Sequence, residues 1–444
     1  MRNKKKYYNN SSIITAVIIM VCFVSITAQS QTFKAGRVPL FDYMNNYYIQ
    51  ETPIQVHGLP NSINQNFGVE TIQFTIHHPR TSDLKIQLQA PDGTTIWVSN
   101  RNGGLYGKDY INTKFSQYGE HGLINNAKNP FTGNYMPDGQ ISYFNNGQNP
   151  NGTWKLLVED LKEGKIGVLD SVSISFSNKP AFIIKKKKCS MTNPQLCSCA
   201  KDNCELLPDL VIVPSFSKTQ IKEFSKDDLQ YPGQLKIAVA IGNIGLGPLE
   251  VAPNDTIKGN CCNKKPKETK DNKRYDLYQK IYSKVGDKFT SRKVKTGTIY
   301  YESMAGHQHY HVDDWIEMRI VNKAGKVMCK GAKVSYCLFT TGMLYENDNS
   351  SIINGKQYGT KMTNYALGDY FTCSLEKQGI SVGGYDYYGM MYEGQYLQLP
   401  KGFKNGNYFL EIEIDPEHKY QESDRTNNTF RMPITITKQG VPHF

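Results

Sequence analysis

Three histidines fall within five residues, at His307, His309 and His311. On a β-strand, side chains at positions i, i+2 and i+4 project from one face, so the three imidazoles would point in the same direction. Three neutral imidazoles suit copper, zinc, nickel or iron. Such a site leaves coordination positions open for water, O2 or a substrate, which favours a catalytic metal centre over a structural one.

The spacing of the histidines leaves alternatives open. A three-histidine zinc hydrolase or an iron enzyme of the cupin type has ligands of the same kind. A polar, solvent-facing strand with unliganded histidines fits the pattern as well. Asp313 and Asp314 follow the histidines directly. They are candidates for a catalytic base, for partners of the imidazole N–H groups, or for simple surface carboxylates.

The elements that position these residues are predicted to be strands. In residues 50–178, apolar and polar residues alternate in three runs, at 72–76, 84–88 and 172–176. A period of two is typical of half-buried strands, and turn dipeptides such as Asn151-Gly152 separate the runs. Many short strands joined by turns favour a β-sandwich.

The second half, residues 207–438, continues in the same style. Leu235, Ile237, Val239 and Ile241 alternate and are predicted to share one face of a strand. Residues 253–294 are polar and lysine-rich, which predicts a loop insertion. The chain is therefore predicted to be all-β, with two β-sandwich domains, the second carrying long loops.

The N-terminus is typical of an exported protein. Residues 1–28 join a basic start to an uncharged apolar run, as in a secretory signal peptide, with an uncleaved anchor as the alternative. The apolar run is shorter than a membrane span needs, and no second run is long enough. We therefore expect a secreted, extracellular protein with no stable membrane span. The net charge of +12 accompanies no recognisable nucleic-acid motif.

The cysteines mark a domain boundary. Of ten cysteines, Cys22 would leave with the signal peptide, and the others all follow residue 188. Residues 179–206 form a basic, cysteine-rich linker that contains the lysine run 185–188 and four cysteines. A zinc site is one reading of that cluster, but in an oxidising compartment disulfide bonds are the better expectation.

The first unit resembles a known accessory domain. The segments HHPRTSDLKIQLQAPDGT (77–94), NPNGTWKLLVED (149–160) and GVLDSVSISF (167–176) are similar to the P domain of proprotein convertases. The resemblance implies a jelly-roll-like β-sandwich that normally accompanies a protease. No protease domain fits before it, so a role in binding, stability or export is expected. Its Asp-rich turns suggest a Ca²⁺ site to which no ligands can be assigned.

The second unit resembles the lysyl oxidases in four ordered blocks. These are HQHYHVDDW (307–315), GAKVSYCL (331–338), TCSLEKQGISVGGYDYYG (372–389) and NGNYFLEIEIDPEHKYQESDRTNNTF (405–430). The resemblance implies that His307, His309 and His311 bind Cu²⁺. It also implies that Lys333 and Tyr388 form the lysine tyrosylquinone cofactor, with Tyr388 chosen because Gly389 follows it, and that Cys337 pairs with Cys373.

The segment before the histidines departs from the family. Animal lysyl oxidases have a histidine and a cysteine where this chain has Met304 and Gly306. The cysteine framework is also sparser, and no cysteine lies directly before Tyr385. These differences put the animal disulfide pattern and substrate preference in doubt, but they remove no expected ligand or cofactor residue.

Together these patterns predict a copper- and quinone-dependent amine oxidase, similar to protein-lysine 6-oxidase. With O2, it would oxidise lysine side chains of extracellular or surface proteins, or other small primary amines, to aldehydes, releasing H2O2 and ammonia. One alternative is a non-catalytic matrix or surface adhesion protein with a structural metal site. The other is the three-histidine zinc hydrolase.

Overall fold

The computed structural model describes residues 30–43, 48–103, 106–117, 119–121, 124, 127, 129–181, 189–199, 201, 203–253, 274–302, 309–331, 334–346, 351–368, 370, 373, 376–390 and 392–440. Four predictions fall outside the described residues. They concern the signal peptide of residues 1–28, the copper ligand His307, the cofactor lysine Lys333 and the lysine run 185–188.

The first unit is a sandwich of two sheets, in which all strand pairs among the described residues are antiparallel except one. One sheet has the order β1-β10-β4-β7-β8, with β2 also on β10, and the other has the order β3-β9-β5-β6. The strands of this unit are β1 Gln31–Ala35, β2 Val38–Leu40, β3 Ile49–Val56, β4 Gly68–His77, β5 Leu84–Gln89, β6 Thr95–Asn100, β7 Tyr110–Ser116, β8 Asn134–Tyr135, β9 Gly152–Asp160 and β10 Gly167–Ser177.

The predicted alternation builds the core of this sandwich. Ile72, Phe74 and Ile76 on β4 are each at most 1% exposed, and the apolar residues of β5 and β10 pack with them in one cluster. Short 3-10 turns occur at Thr81–Asp83 and Ile141–Phe144. Because β1 and β2 pair with β10, the sheet includes residues before position 50; the predicted bounds 50–178 stay a proposal.

The second unit is also built of strands, and the all-β prediction is confirmed. Its large sheet has the order β25-β16-β17-β18-β19-β28-β29, and a smaller sheet has the order β12-β15-β26-β22. Its elements are β11 Asn203–Leu206, β12 Leu210–Ile212, α1 Pro214–Thr219, β13 Ile221–Glu223, β14 Gln234–Ile237, β15 Val239–Asn243, β16 Leu249–Pro253, β17 Arg274–Val285, β18 Lys288–Glu302, β19 His309–Val321, β20 Val327–Lys330, β21 Val334–Tyr336, β22 Gly342–Met343, β23 Ile352–Ile353, β24 Lys356–Gln357, β25 Gln378–Ile380, β26 Gly384–Tyr388, β27 Tyr396–Gln398, β28 Gly406–Ile414 and β29 Thr429–Ile436.

The strand predicted around Leu235 is two strands in the structure. β14 lies in a three-stranded sheet with β13 and β27, while β15 pairs with β12 and β26. The chain changes sheets at Ala238, whose N–H donates to the carbonyl of Gln220 rather than to a strand partner. The predicted common face is nevertheless present, because the four alternating residues all join the main core of this unit.

The prediction of a loop at residues 253–294 is wrong for the residues of that range that the structure describes. Residues 274–302 form the long hairpin β17–β18, which turns at Gly286, and residues 254–273 lie outside the described set. Leu277, Gln279 and Ile281 alternate inward along β17 and are at most 1% exposed. Their period of two was the available sign of a strand, and the outward lysines and tyrosines concealed it.

Disulfides close the linker. Cys189 bonds to Cys197 and Cys199 bonds to Cys204, as the oxidising compartment predicted. Among the described residues Cys329 is a free, buried thiol, whereas Cys261 and Cys262 lie outside them. No described helix has the length and apolarity that crossing a bilayer requires.

A buried amide ties together the strands around the site. Asn243, at the end of β15, is fully buried. Its Oδ1 accepts from the N–H groups of Asp209 and Gly245, and its Nδ2 donates to the carbonyls of Gly247 and Ile380, at 2.9 to 3.1 Å. Since β15 pairs with β26, this network also fixes the strand that carries Tyr388.

Replacing Asn243 with alanine removes the side-chain partner of four backbone groups, in three buried hydrogen bonds and one partly buried one. We expect Asn243→Ala to lower the free energy of unfolding by about 3 kcal/mol or more, because each unpaired buried polar group costs roughly 1–3 kcal/mol. Urea unfolding of the full chain measures this loss. Asn407→Ala is the matched control, since Asn407 is exposed on β28 and its side chain accepts one hydrogen bond from Thr435. Equal losses in the two variants would contradict the structural role of Asn243.

Candidate active site

Two of the three histidines lie on one face of β19. His309 and His311 are separated by one residue, so the strand period points both imidazoles to the same side. Their Nε2 atoms are 3.0 Å apart. His311 is buried, with 4% exposure, and its ring meets the edge of Tyr300 on the neighbouring strand β18. His307 lies outside the described residues, so its place as third ligand stays a prediction.

The two imidazoles fit a shared metal ion. With metal–imidazole bonds of about 2.0–2.1 Å, two ligands at roughly a right angle have nitrogens close to 3 Å apart. The observed 3.0 Å separation meets that requirement, and it is also within hydrogen-bond distance. The donor set of neutral imidazoles also suits copper. These residues therefore fit the metal that the sequence predicts.

Tyr388 lies at the end of β26, buried in the main core of the second unit. Its ring stacks on Tyr336, with centroids 3.5 Å apart and planes 8° from parallel. Tyr336 in turn pairs with Val312, the residue after His311 on β19. The stacked pair therefore connects the predicted cofactor tyrosine to the histidine strand. Lys333 immediately precedes β21 in the sequence but lies outside the described residues.

Cys337 joins the tyrosine to the histidines. The Tyr388 hydroxyl donates a hydrogen bond to the Cys337 carbonyl. The Cys337 sulfur is bonded to Cys373, and both sulfurs lie within 4.8 Å of a ring nitrogen of His309. Since sulfurs in a disulfide are not thiolates, they are not expected to act as metal ligands. Cys337 instead holds the phenol close to His309.

The strand period distinguishes Tyr388 from its two tyrosine neighbours. Tyr385 and Tyr387 join a different core cluster, where both rings pack on Phe216. The Tyr387 hydroxyl donates to the Gln220 side chain, at 2.7 Å. Of the three phenols, Tyr388 is the one whose hydroxyl bonds to Cys337. This arrangement supports the assignment of Tyr388 as the cofactor tyrosine.

Asp386 is a site residue that the sequence analysis missed. It lies two residues before Tyr388 on β26, so it projects from the same face, and it is fully buried. Neither of its carboxylate oxygens has a hydrogen-bond partner among the described residues. The available sign was a carboxylate in the middle of an aromatic strand, since buried charges without partners are rare.

Burial controls the protonation of this group. It raises the pKa of Asp386 well above its ordinary value, while the nearby Tyr388 hydroxyl and the backbone amides of Phe339 and Tyr387 oppose the rise. Those groups come close to the carboxylate without making a hydrogen bond of good geometry. Burial also raises the pKa of the Tyr388 hydroxyl, and the adjacent Asp386 carboxylate raises it further. The pair therefore favours its neutral, protonated forms.

Further polar groups without partners surround Asp386. The Tyr392 hydroxyl and Gln395 Oε1 are buried and have no hydrogen-bond partner among the described residues. Gln395 uses its Nε2 to donate to the Tyr336 hydroxyl. Unpaired buried polar atoms occur elsewhere in the described chain as well, so these groups point to a site only together with the neighbouring Tyr388 and Asp386.

The two acidic residues after the histidines have other partners. Asp313 accepts from Arg274 at 2.8 Å and from Thr298 at 2.6 Å. Asp314 accepts from Lys419 at 3.2 Å, and its positive φ of 53° lies at a bulge in β19. These contacts hold β19 against its neighbours, which favours a structural role for both carboxylates over the role of base.

Two family models match the chain, and the resemblances seen in the sequence are confirmed. Residues 69–176 match the proprotein convertase P-domain, and residues 257–442 match lysyl oxidase.

The curated relatives match over part of the chain. Lysyl oxidase homolog 1 of Homo sapiens is 31% identical over 137 residues, which cover 30% of this chain and 20% of the relative. Protein-lysine 6-oxidase of Homo sapiens is 29% identical over 30% of this chain and 27% of its own length. The Sus scrofa protein-lysine 6-oxidase is 28% identical over 30% of this chain and 45% of its own length. The chain thus spans less than half the length of these relatives.

Among solved structures, the serine protease of Aeromonas sobria aligns with 33% of this chain and 27% of its own chain, at 16% identity. Its TM-score of 0.17 is too low to carry an argument.

The buried carboxyl of Asp386 gives stability a defined pH dependence. In the unfolded chain an aspartate ionises near pH 4, whereas in the folded chain burial keeps Asp386 protonated to higher pH. Between those two pKa values the folded state holds the extra proton, so stability falls as pH rises. We expect Asp386→Asn to stabilise the chain, prepared without copper, above pH 4. The difference in free energy of unfolding between variant and wild type should grow by up to about 1.4 kcal/mol per pH unit.

Urea unfolding of wild type and variant from pH 4 to pH 8 measures this difference. Asp228→Asn is the control of opposite sign, because backbone N–H groups of Tyr231 and Gln230 lower the pKa of that exposed carboxyl. It is expected to bring no gain at any pH. If the difference in free energy of unfolding between Asp386→Asn and wild type stayed constant with pH, the raised pKa of Asp386 would be refuted.

Proposed function

We propose, from a chain that joins a proprotein convertase P-domain to a lysyl oxidase domain, that this protein is a secreted copper- and quinone-dependent amine oxidase. It would oxidise primary amines, among them lysine side chains of extracellular proteins, to aldehydes with release of H2O2 and ammonia. The relatives' names, lysyl oxidase homolog and protein-lysine 6-oxidase, support the class of reaction.

The observation that carries the proposal is the contact between Cys337, Tyr388 and His309. The phenol that would become the quinone is hydrogen-bonded to Cys337, whose sulfur lies next to an imidazole that would bind copper. A phenol held beside a redox metal is the arrangement that oxidation of its ring requires. The stacking of Tyr388 on Tyr336 restrains that ring within the core.

The residues divide the work in a simple way. His309 and His311, with His307 as the proposed third ligand, would hold copper. Tyr388 would supply the ring and Lys333 the amine of lysine tyrosylquinone. Copper and the quinone supply the electron sink and the path of electrons to O2, which ordinary side chains lack. The hydrogen bond from Tyr388 to Cys337 orients the phenol before the ring is modified.

Asp386 is our proposed catalytic base. Oxidation of an amine to an aldehyde removes a proton from the α-carbon, and the fraction of Asp386 that is ionised at the working pH would accept it beside the ring. Burial raises the pKa of Asp386, which brings its basicity closer to the working pH than that of an exposed aspartate. Its lack of a hydrogen-bond partner among the described residues leaves its lone pairs available.

The disulfides agree with an extracellular location. Three disulfides are present among the described residues, which favours an oxidising compartment and hence export. Two other functions remain as outcomes of the tests below. A matrix or adhesion protein with a structural metal would carry no quinone, and a zinc hydrolase would work without O2.

The quinone is directly measurable. We expect the purified, copper-loaded chain to give a redox-cycling quinone stain and to release H2O2 with benzylamine. Tyr388→Phe and Lys333→Ala remove one partner each of the proposed cross-link, so both should lose stain and peroxide. His309→Ala should lose both as well, because the ring then lacks its neighbouring metal ligand.

Tyr387→Phe is the matched control, since Tyr387 is a buried neighbour on the opposite face of the same strand. It should keep the stain. If Tyr387→Phe lost the stain and Tyr388→Phe kept it, Tyr387 would be the cofactor tyrosine instead of Tyr388. Absence of both stain and peroxide in the copper-loaded wild type would refute the oxidase.

Proton removal by Asp386 has a separate signature. We expect Asp386→Asn to keep the quinone stain and to lower kcat by about 10²–10⁴-fold, the usual contribution of a general base. Benzylamine deuterated at the α-carbon should show a larger isotope effect on the variant, because proton transfer becomes the slow step. Asp313→Asn serves as the comparison, and a larger rate loss there would assign the base to Asp313.

A further inference from the structure

The outer face of the sheet β3-β9-β5-β6 lines a cavity instead of facing open solvent. Lys85, Trp97 and Glu159 project from that face, on the side opposite the sandwich core. Such positions on a one-sided sheet are normally solvated. Here the side chains of Lys85 and Glu159 are 13% and 7% exposed, and residues of the second unit lie across the same cavity.

Trp97 reaches from the P domain into the second unit. Its ring packs against the main core of that unit and meets the edge of Phe339, with centroids 4.9 Å apart. Phe339 follows Cys337 by two residues, and Cys337 holds the Tyr388 hydroxyl. The P domain therefore contacts the chain segment that orients the predicted cofactor tyrosine.

Polar contacts fix the two units in this position. Arg101, which is 9% exposed, makes a two-point ion pair with Glu393, five residues after Tyr388. Gln117 donates to the Tyr345 hydroxyl at 2.8 Å. Tyr143 donates to the carbonyl of Thr340 at 3.3 Å. The bidentate geometry of the Arg101–Glu393 pair adds directional specificity to this contact.

The cavity between the units has a volume of about 390 Å³. His309 and Cys373 line one side, while Trp97, Lys85 and Glu159 line the other. Pockets for small molecules usually measure about 300–1,000 Å³. Among the described residues of the lining, Glu159 is the one carboxylate, and the Trp97–Phe339 pair supplies an aromatic wall.

We propose that the P domain forms one wall of the substrate pocket, and that this pocket selects small primary amines with an aromatic or alkyl body over lysines on folded proteins. The inference rests on the proposed oxidase function. The Glu159 carboxylate is paired with Lys85 at 3.6 Å, so the aromatic wall of Trp97 and Phe339 would hold the body of the amine. The P-domain wall across the cavity from His309 would narrow the approach for a lysine on a folded protein.

Kinetics of the copper-loaded full chain test this selectivity. We expect benzylamine to be oxidised much faster than the lysines of folded cytochrome c at equal amine concentration. Trp97→Ala should raise KM for benzylamine by about tenfold, the loss of one aromatic contact, with quinone content unchanged. Gln89→Ala, on the same sheet face but outside the cavity lining, should leave KM unchanged. Equal rates for cytochrome c, or an unchanged KM in Trp97→Ala, would overturn the proposal.

Binding without turnover separates the pocket from the chemistry. Of three tryptophans, Trp154 and Trp315 are fully buried, so Trp97 should dominate any fluorescence change caused by a ligand in the cavity. In the Tyr388→Phe chain we expect benzylamine to change tryptophan emission saturably and cytochrome c to have no effect. The change should disappear on adding Trp97→Phe. If the wild type contained no quinone but its tryptophan emission still changed saturably with benzylamine, the oxidase proposal would be refuted and the pocket proposal would stand. If benzylamine did not change the emission, the pocket proposal would be refuted.

Discussion

The site depends on the position of one residue, Cys337. Its backbone carbonyl receives the Tyr388 hydroxyl, and its side chain is locked to Cys373 beside His309. Cys337 lies just beyond β21, outside any strand, so sheet hydrogen bonds do not fix it. The disulfide therefore supplies a restraint that the sheet does not. This disulfide restrains a residue whose carbonyl accepts from the Tyr388 hydroxyl and whose sulfur lies near His309.

The period of the strand then selects which phenol occupies that position. Tyr385, Tyr387 and Tyr388 are near neighbours in sequence, and composition cannot separate them. In β26 the first two project to one core and Tyr388 to the other, where Tyr336 stacks on it. A shift of one residue in the register would exchange the faces and place the wrong ring next to Cys337. The pairing of β26 with β15 prevents that shift.

Patterns confined to one strand were predictable from sequence, while those created by packing between units were not. Alternation identified the strands around Ile72 and Leu84, and a spacing of two placed His309 and His311 on one face. The change of sheet at Ala238 was hidden, because the alternation continues through it. The hairpin of residues 274–302 was mistaken for a loop because its outer face is rich in lysine.

The outer face of β5, β6 and β9 illustrates the same limit. Lys85, Trp97 and Glu159 have the composition of a solvated face, and sequence alone offers no sign that a second unit covers them. Only the docked arrangement shows that Trp97 packs on a core other than its own. The predictions of Lys333 as cofactor lysine and His307 as copper ligand rest on the family resemblance, since both residues lie outside the described ones.

Unpaired buried polar atoms occur in both units of the described chain, and four of them lie near Tyr388. The fold is able to pair buried amides fully, as Asn243 and Asn145 demonstrate. Around Tyr388 it leaves Asp386, Tyr392 and Gln395 with unpaired atoms among the described residues, at a cost of roughly 1–3 kcal/mol for each group. Replacing Asp386 by an apolar residue would remove part of that cost, so stability does not explain its presence. A carboxyl that weakens the fold beside the phenol bonded to Cys337 is better explained by the chemistry it can perform.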